Sequence, residues 1–151
     1  MKFEHTSWVI KDLIDFYNDG KLNLAPPYQR NFIWPKKNQN ELIDSILIRN
    51  YPLPTFFIFK KENNSFDVVD GQQRSRAIIG FYNNSYRDDI KKGDLLFEEK
   101  RKFEDYQIPV TIITEINKDE NIEEFYARVN RTGLKLNKPE LNKAEYYDTL
   151  F

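Results

Sequence analysis

Apolar positions recur along this chain with two different periods. Ile10, Leu13, Ile14 and Tyr17 fall three or four residues apart, which predicts an amphipathic helix over 6–18. Thr6 or Ser7 is available to cap it, and Gly20 stops it. The stretch from 22 to 33 is irregular or short strand, punctuated by Pro26-Pro27. Pro35 then opens a second helix with Leu42, Ile43, Ile46 and Leu47 on one face, and Pro52 and Pro54 end that segment. Thr55-Phe56-Phe57-Ile58-Phe59 reads as a buried strand, Asn63-Asn64 as a hairpin turn, and Phe66-Asp67-Val68-Val69 as the return strand. The helical period resumes after Gly71 and runs through Phe81-Tyr82.

Further on, a short helix is expected near 98–103, and Ile108-Pro109-Val110-Thr111-Ile112-Ile113 is another strand. Ile122, Phe125, Tyr126 and Val129 mark a helix that Gly133 can terminate. Asn137 to Glu140 has capping-box spacing ahead of Leu141, Ala144 and Tyr147. Hairpin strands mixed with several helices, in no regular alternation, predict an α+β fold with a small mixed sheet.

Composition narrows the class. At 151 residues with 40% hydrophobic side chains, the chain reads as one domain, 1–151, with a core of its own. No apolar run reaches membrane-spanning length, and Met1-Lys2-Phe3-Glu4-His5 is no signal peptide. There is no cysteine, so disulfides, thiolate metal sites and cysteine nucleophiles are excluded, and a cytoplasmic location fits. Basic and acidic residues number 23 and 24, without the basic excess of a non-specific nucleic-acid binder. The run from Arg87 to Lys102 is basic but interrupted by acids, which suits a solvated surface. His5 is the single histidine, expected in a frayed terminus with no catalytic role, so Ser-His-Asp chemistry lacks support.

Candidate chemistry concentrates in Asp70-Gly71-Gln72-Gln73-Arg74. A strand running into a helix through a glycine aims the helix's first N–H groups outward, an arrangement that binds anions and phosphate above all. Asp70, at the strand end, can hold a divalent cation or orient a water. Arg74 offers a two-pronged fork to phosphate oxygens. It shares a helical face with Ala77, Ile78 and Phe81, where a guanidinium is costly unless it meets an anion or a buried acceptor. Arg76 falls on the opposite side and is expected to be solvated. The structural alternative is an Asp70 that caps the helix and an Arg74 that pairs with a structural acid.

Two more polar clusters flank this motif. Tyr28-Gln29-Arg30 precedes Phe32-Ile33-Trp34, so Arg30 can stack on Tyr28 or Trp34, or reach the phosphate site from its other side. Arg128, Asn130, Arg131 and Gly133 close a helix, where basic residues are favourable for dipole reasons alone. Asn130 can cap that helix or bind a ligand's base or ribose. Neither a Walker loop nor a G-x-G-x-x-G fingerprint is present.

Taken in order, these clusters resemble the N-terminal DGQQR-motif domain of GmrSD-type, modification-dependent restriction endonucleases. The likeness is carried by Tyr28-Gln29-Arg30 with Trp34, by Leu42 to Leu47, by Pro52-Leu53-Pro54 and by Asp70 to Arg74. Ile108-Pro109-Val110 and Arg128-Val129-Asn130 with Gly133, Leu136, Glu140 and Leu141 extend it to about residue 147. The resemblance implies a ParB/sulfiredoxin-like fold and a role in bacterial defence against phage DNA. In that setting, nucleotide binding or hydrolysis regulates a separate nuclease region, often of HNH type. It further implies that Asp70, Gly71, Gln72, Gln73 and Arg74 form the nucleotide and Mg²⁺ site, with Asp70, Gln73 and Arg74 catalytic and Asp70 the metal ligand. Arg30, Arg128 and Asn130 would support them.

Two departures stand out. Family members usually continue past the arginine with an apolar residue and threonines, where this chain has Ser75-Arg76-Ala77. Nothing here resembles an HNH site, so the chain is expected to be the N-terminal part of a longer protein or a short stand-alone form. The leading expectation is therefore an Mg²⁺-dependent nucleoside triphosphatase in a restriction system. The alternatives are a non-catalytic DNA- or partner-sensing ParB-like module and, more weakly, a domain that itself cuts DNA.

Overall fold

The computed structural model of the chain describes residues 1–24, 34–83 and 95–129. Among them, β1 (Lys2–Val9), β2 (Leu22–Asn23), β3 (Phe56–Lys60), β4 (Phe66–Asp70) and β5 (Gln107–Glu115) form one mixed sheet in the order β1-β5-β3-β4-β2. β5 runs parallel to β3, and β2 parallel to β4; β1 and β4 lie antiparallel to β5 and β3. The helices are α1 (Ile10–Asn18), α2 (Lys36–Asp44), α3 (Gln72–Tyr82), α4 (Phe97–Asp105) and α5 over 122–129. The expected α+β class is the one observed.

Strand alternation divides the core in two. Phe56, Ile58, Phe66, Val68, Ile108 and Val110 point to one face and meet Ile10, Leu13 and Ile14 of α1, Ile43 of α2, Ile78 and Phe81 of α3 and Phe103 of α4. Val69 and Ile113 point to the other face, where Ile122 of α5 covers them together with Phe57, Phe59, Phe125 and Tyr126. Each fully buried side chain of this size contributes about 1.5–3 kcal/mol, so the four-helix face supplies most of the stability.

The hairpin, the Pro35-led helix, the strand over 108–113 and the start of α5 fall where the sequence places them. Asn64 turns the β3–β4 hairpin at φ 61°. Beyond Asp44 the second helix widens into a π-type turn, Ser45–Arg49. It widens where the Ser45 hydroxyl donates back to the Glu41 carbonyl, at 2.9 Å, in competition with the helical ladder.

The N-terminus departs from expectation. The predicted helix over 6–18 begins only at Ile10, and residues 6–9 belong to β1. Their backbone pairing with β5 overrides the local helical period. The cap is neither Thr6 nor Ser7: the Asp12 carboxylate accepts the Val9 N–H at 3.0 Å. Nor is His5 in a frayed end, since it pairs opposite Thr111, whose hydroxyl lies 2.8 Å from its Nδ1. The expected helix after Asn137 lies outside the described residues.

Candidate functional site

β4 ends at Asp70, and α3 begins two residues later. Gly71 makes the corner. Its φ of +111° is one that side chains rarely tolerate, and a Cβ there would stand 2.7 Å from the Phe56 ring. Glycine is therefore demanded twice at this corner, by conformation and by space.

Phe56 also underlies Arg74, whose guanidinium carbon lies 4.2 Å from the ring centroid. The guanidinium donates to the carbonyls of Pro54 and Thr55, the latter at 3.1 Å. Pro52 and Pro54 keep this segment out of any helix or ladder, which leaves its carbonyls to a side-chain donor. The arginine on the apolar stripe has thus met backbone acceptors, though not buried ones: Pro54 is exposed and Thr55 half-buried. Asp70 faces it at 3.7 Å, too far for a hydrogen bond, so the two are paired by charge alone.

Asp70 is about a third open, at 32% of its side-chain surface, yet set deep in the corner. Burial pushes its carboxyl up from the ordinary range, while the Arg74 charge and the Gly71 N–H draw it partly back. The fold therefore holds this proton more tightly than the unfolded chain does. Stability contributed at Asp70 is present at low pH and falls as pH rises from the ordinary carboxylate range, about 4, through the raised value. Asp70→Asn is expected to melt at or above the parent's temperature at neutral pH, with the gap closing below about pH 4. Thermal melts across pH check this; a variant that melts lower at neutral pH contradicts it.

The glutamines are anchored as well. The Gln72 amide donates to the carbonyls of Val68 and Val69, both at 2.8 Å, and fastens α3 back onto β4. The Gln73 Oε1 accepts the backbone N–H of Trp34 at 2.9 Å. That bond joins the motif to the end of the aromatic cluster that opens with Tyr28. Sequence reasoning placed Trp34 in that cluster but did not find this link, because a backbone N–H carries no signal of its own.

The chain matches the GmrSD restriction endonuclease, N-terminal domain, over residues 10–147. It belongs to this family. No curated protein and no solved structure matches it. Membership places this GmrSD N-terminal domain in a restriction system, and no described helix is long and apolar enough to cross a membrane.

Within the GmrSD domain, the remaining predicted residues divide. Arg30 and Asn130 lie outside the described residues. Arg128 is exposed on α5, one turn beyond the Phe125 ring that meets Phe57, and among the described residues makes no bond to the motif. Arg76 is not solvated as expected: it is half-buried, and its Nε has no hydrogen-bond partner among the described residues. The cause is that α3 is packed on most sides, with Ser75, Ala77, Ile78, Ile79 and Phe81 all buried. Ser75 carries a second atom without a partner among the described residues, its Oγ.

No group of three or more His, Cys, Asp or Glu side chains is gathered among the described residues. Asp70 alone still fits Mg²⁺, which is commonly held by one or two carboxylates, with substrate phosphates and waters supplying the rest. Among the described residues, open grooves also lie elsewhere, one of about 690 Å³ beside Lys60, Lys61 and Thr114, another of about 450 Å³ beside Tyr51 and Tyr106. Neither contains a motif residue, and their size alone does not outweigh the chemistry gathered at the β4–α3 corner.

Proposed function

We propose that this domain binds a nucleoside triphosphate with Mg²⁺ at the β4–α3 corner. Hydrolysis there regulates DNA cleavage by a separate nuclease region. One observation carries the reading: a recessed carboxylate of raised proton affinity stands beside a fixed guanidinium at the start of a helix. The helix end favours phosphate by its dipole. The anchored Arg74 supplies positive charge that needs no reorganisation as charge develops on a transferred phosphoryl group. Asp70 would hold the metal ion, which would neutralise phosphate charge when bound, through the third of its side chain that is open.

A specific observation favours a second reading. Gln72, Gln73 and Arg74 all spend side-chain hydrogen bonds on the backbone of this domain. A motif used to hold its own corner together suits a non-catalytic DNA or partner sensor on a ParB-like fold.

Calorimetric titration with ATP, GTP, CTP and UTP in the presence of Mg²⁺, followed by phosphate-release assays, separates the two. The expected result is binding of at least one nucleotide by the parent, with turnover lost in a folded Asp70→Asn variant. Absence of nucleotide binding together with salt-dependent DNA binding would replace the leading reading with the sensor.

A further inference from the structure

The outer strand of the sheet offers a long pairing edge. β1 ends the strand order, pairs with β5 along its length, and is exposed at every residue from Lys2 to Ser7. The phase of that ladder follows from one bond. Ile10 donates to the Tyr106 carbonyl at 2.9 Å in continuation of the β1–β5 register. Hydrogen-bonded pairs alternate along an antiparallel ladder, so Glu4, Thr6 and Trp8 turn their backbone groups toward β5. Phe3, His5 and Ser7 turn theirs outward. No proline interrupts the strand, its one irregularity lies between Lys2 and Phe3, and no other described strand lies along that edge.

We propose that this edge pairs antiparallel with β1 of a second copy about a twofold axis at Phe3, making one continuous sheet. Charge selects the axis. Centred on Phe3, Lys2, which also meets Glu115 of its own chain at 3.3 Å, stands opposite Glu4 of the partner subunit, twice by symmetry, and the two Phe3 rings meet. Centred on Glu4, two carboxylates would oppose one another, a destabilising pair. Centred on His5, neither Lys2 nor Glu4 finds an opposite charge. Phe3 is 56% exposed and stands opposite Ile113, so the paired rings extend the apolar strip under α5. Growth stops at two copies, because the sheet's other end is β2, only two residues long.

Sedimentation velocity over a concentration series tests this on the 151-residue chain. The expected mass rises toward twice 18.2 kDa. Glu4→Lys is expected to weaken the dimer about tenfold or more, and the charge swap Lys2→Glu with Glu4→Lys to restore it when both are compared in a Glu115→Gln background, which removes the carboxylate that faces position 2 within the chain. Phe3→Pro removes an outward donor without touching the β5 ladder and is expected to give a folded monomer, with circular dichroism reporting the fold. A chain that stays monomeric at every concentration overturns the proposal. So does a dimer indifferent to Glu4→Lys, or a charge swap that fails to restore pairing.

Discussion

Arg74→Ala is expected to melt about 6–12 °C below the parent, at roughly 2–4 °C per kcal/mol for a domain of this size. The side chain holds two backbone carbonyls of the segment before β3, stacks on Phe56 and balances Asp70. Hydrogen bonds from a charged group contribute about 1.5–3 kcal/mol each, and a cation–π contact up to about 2. Such contributions overlap, and about 3 kcal/mol is a fair net figure for losing all of them. Arg74→Lys keeps the charge but not the planar fork, so it cannot bond both carbonyls and stack at once. About half the loss is expected. Thermal denaturation followed by circular dichroism decides; an Arg74→Ala variant within about 2 °C of the parent would refute a structural role.

This expectation bears on how the site is tested. An arginine that fastens the corner cannot be removed to probe ligand binding without a matching measurement of foldedness. Asp70 is the better probe, because burial makes its charge a cost to the fold, and neutralising it removes chemistry without removing an anchor.

Much of the corner was legible in the sequence because its signals are local. Asp-Gly after an apolar run marks the strand end, and Arg74 in step with Ala77, Ile78 and Phe81 marks a guanidinium in need of an anion or an acceptor. What could not be read was the acceptor. The carbonyls of Pro54 and Thr55 and the N–H of Trp34 belong to the backbone, and any residue there supplies the same group. β1 was hidden for a different reason. As an exposed edge strand it shows no alternation of apolar and polar positions, so the helical period starting at Ile10 extends falsely backward. Arg76 was misplaced because a helical wheel assumes one solvated face, and α3, covered on most sides, has little of one.

Gly71→Ala is expected to be as damaging as loss of Arg74, by a separable route. A Cβ at φ +111° is strained, at about 1–3 kcal/mol, and displacing the Phe56 ring from a contact of 2.7 Å adds about 1–3 more. The stiffer unfolded chain offsets up to about 1 kcal/mol. A net loss near 3 kcal/mol, again about 6–12 °C, follows. The two causes are resolved by a second substitution. Phe56→Leu alone gives up ring packing and the platform under Arg74, yet in combination with Gly71→Ala it also relieves the clash. The double variant should therefore be more stable than the sum of the single losses predicts, by at least about 1 kcal/mol. Chemical denaturation of the parent, both single variants and the double variant measures that coupling. Strict additivity would mean that the backbone conformation alone demands the glycine, and that the Phe56 ring, on which Gly71 and Arg74 both lean, does not set the shape of the corner.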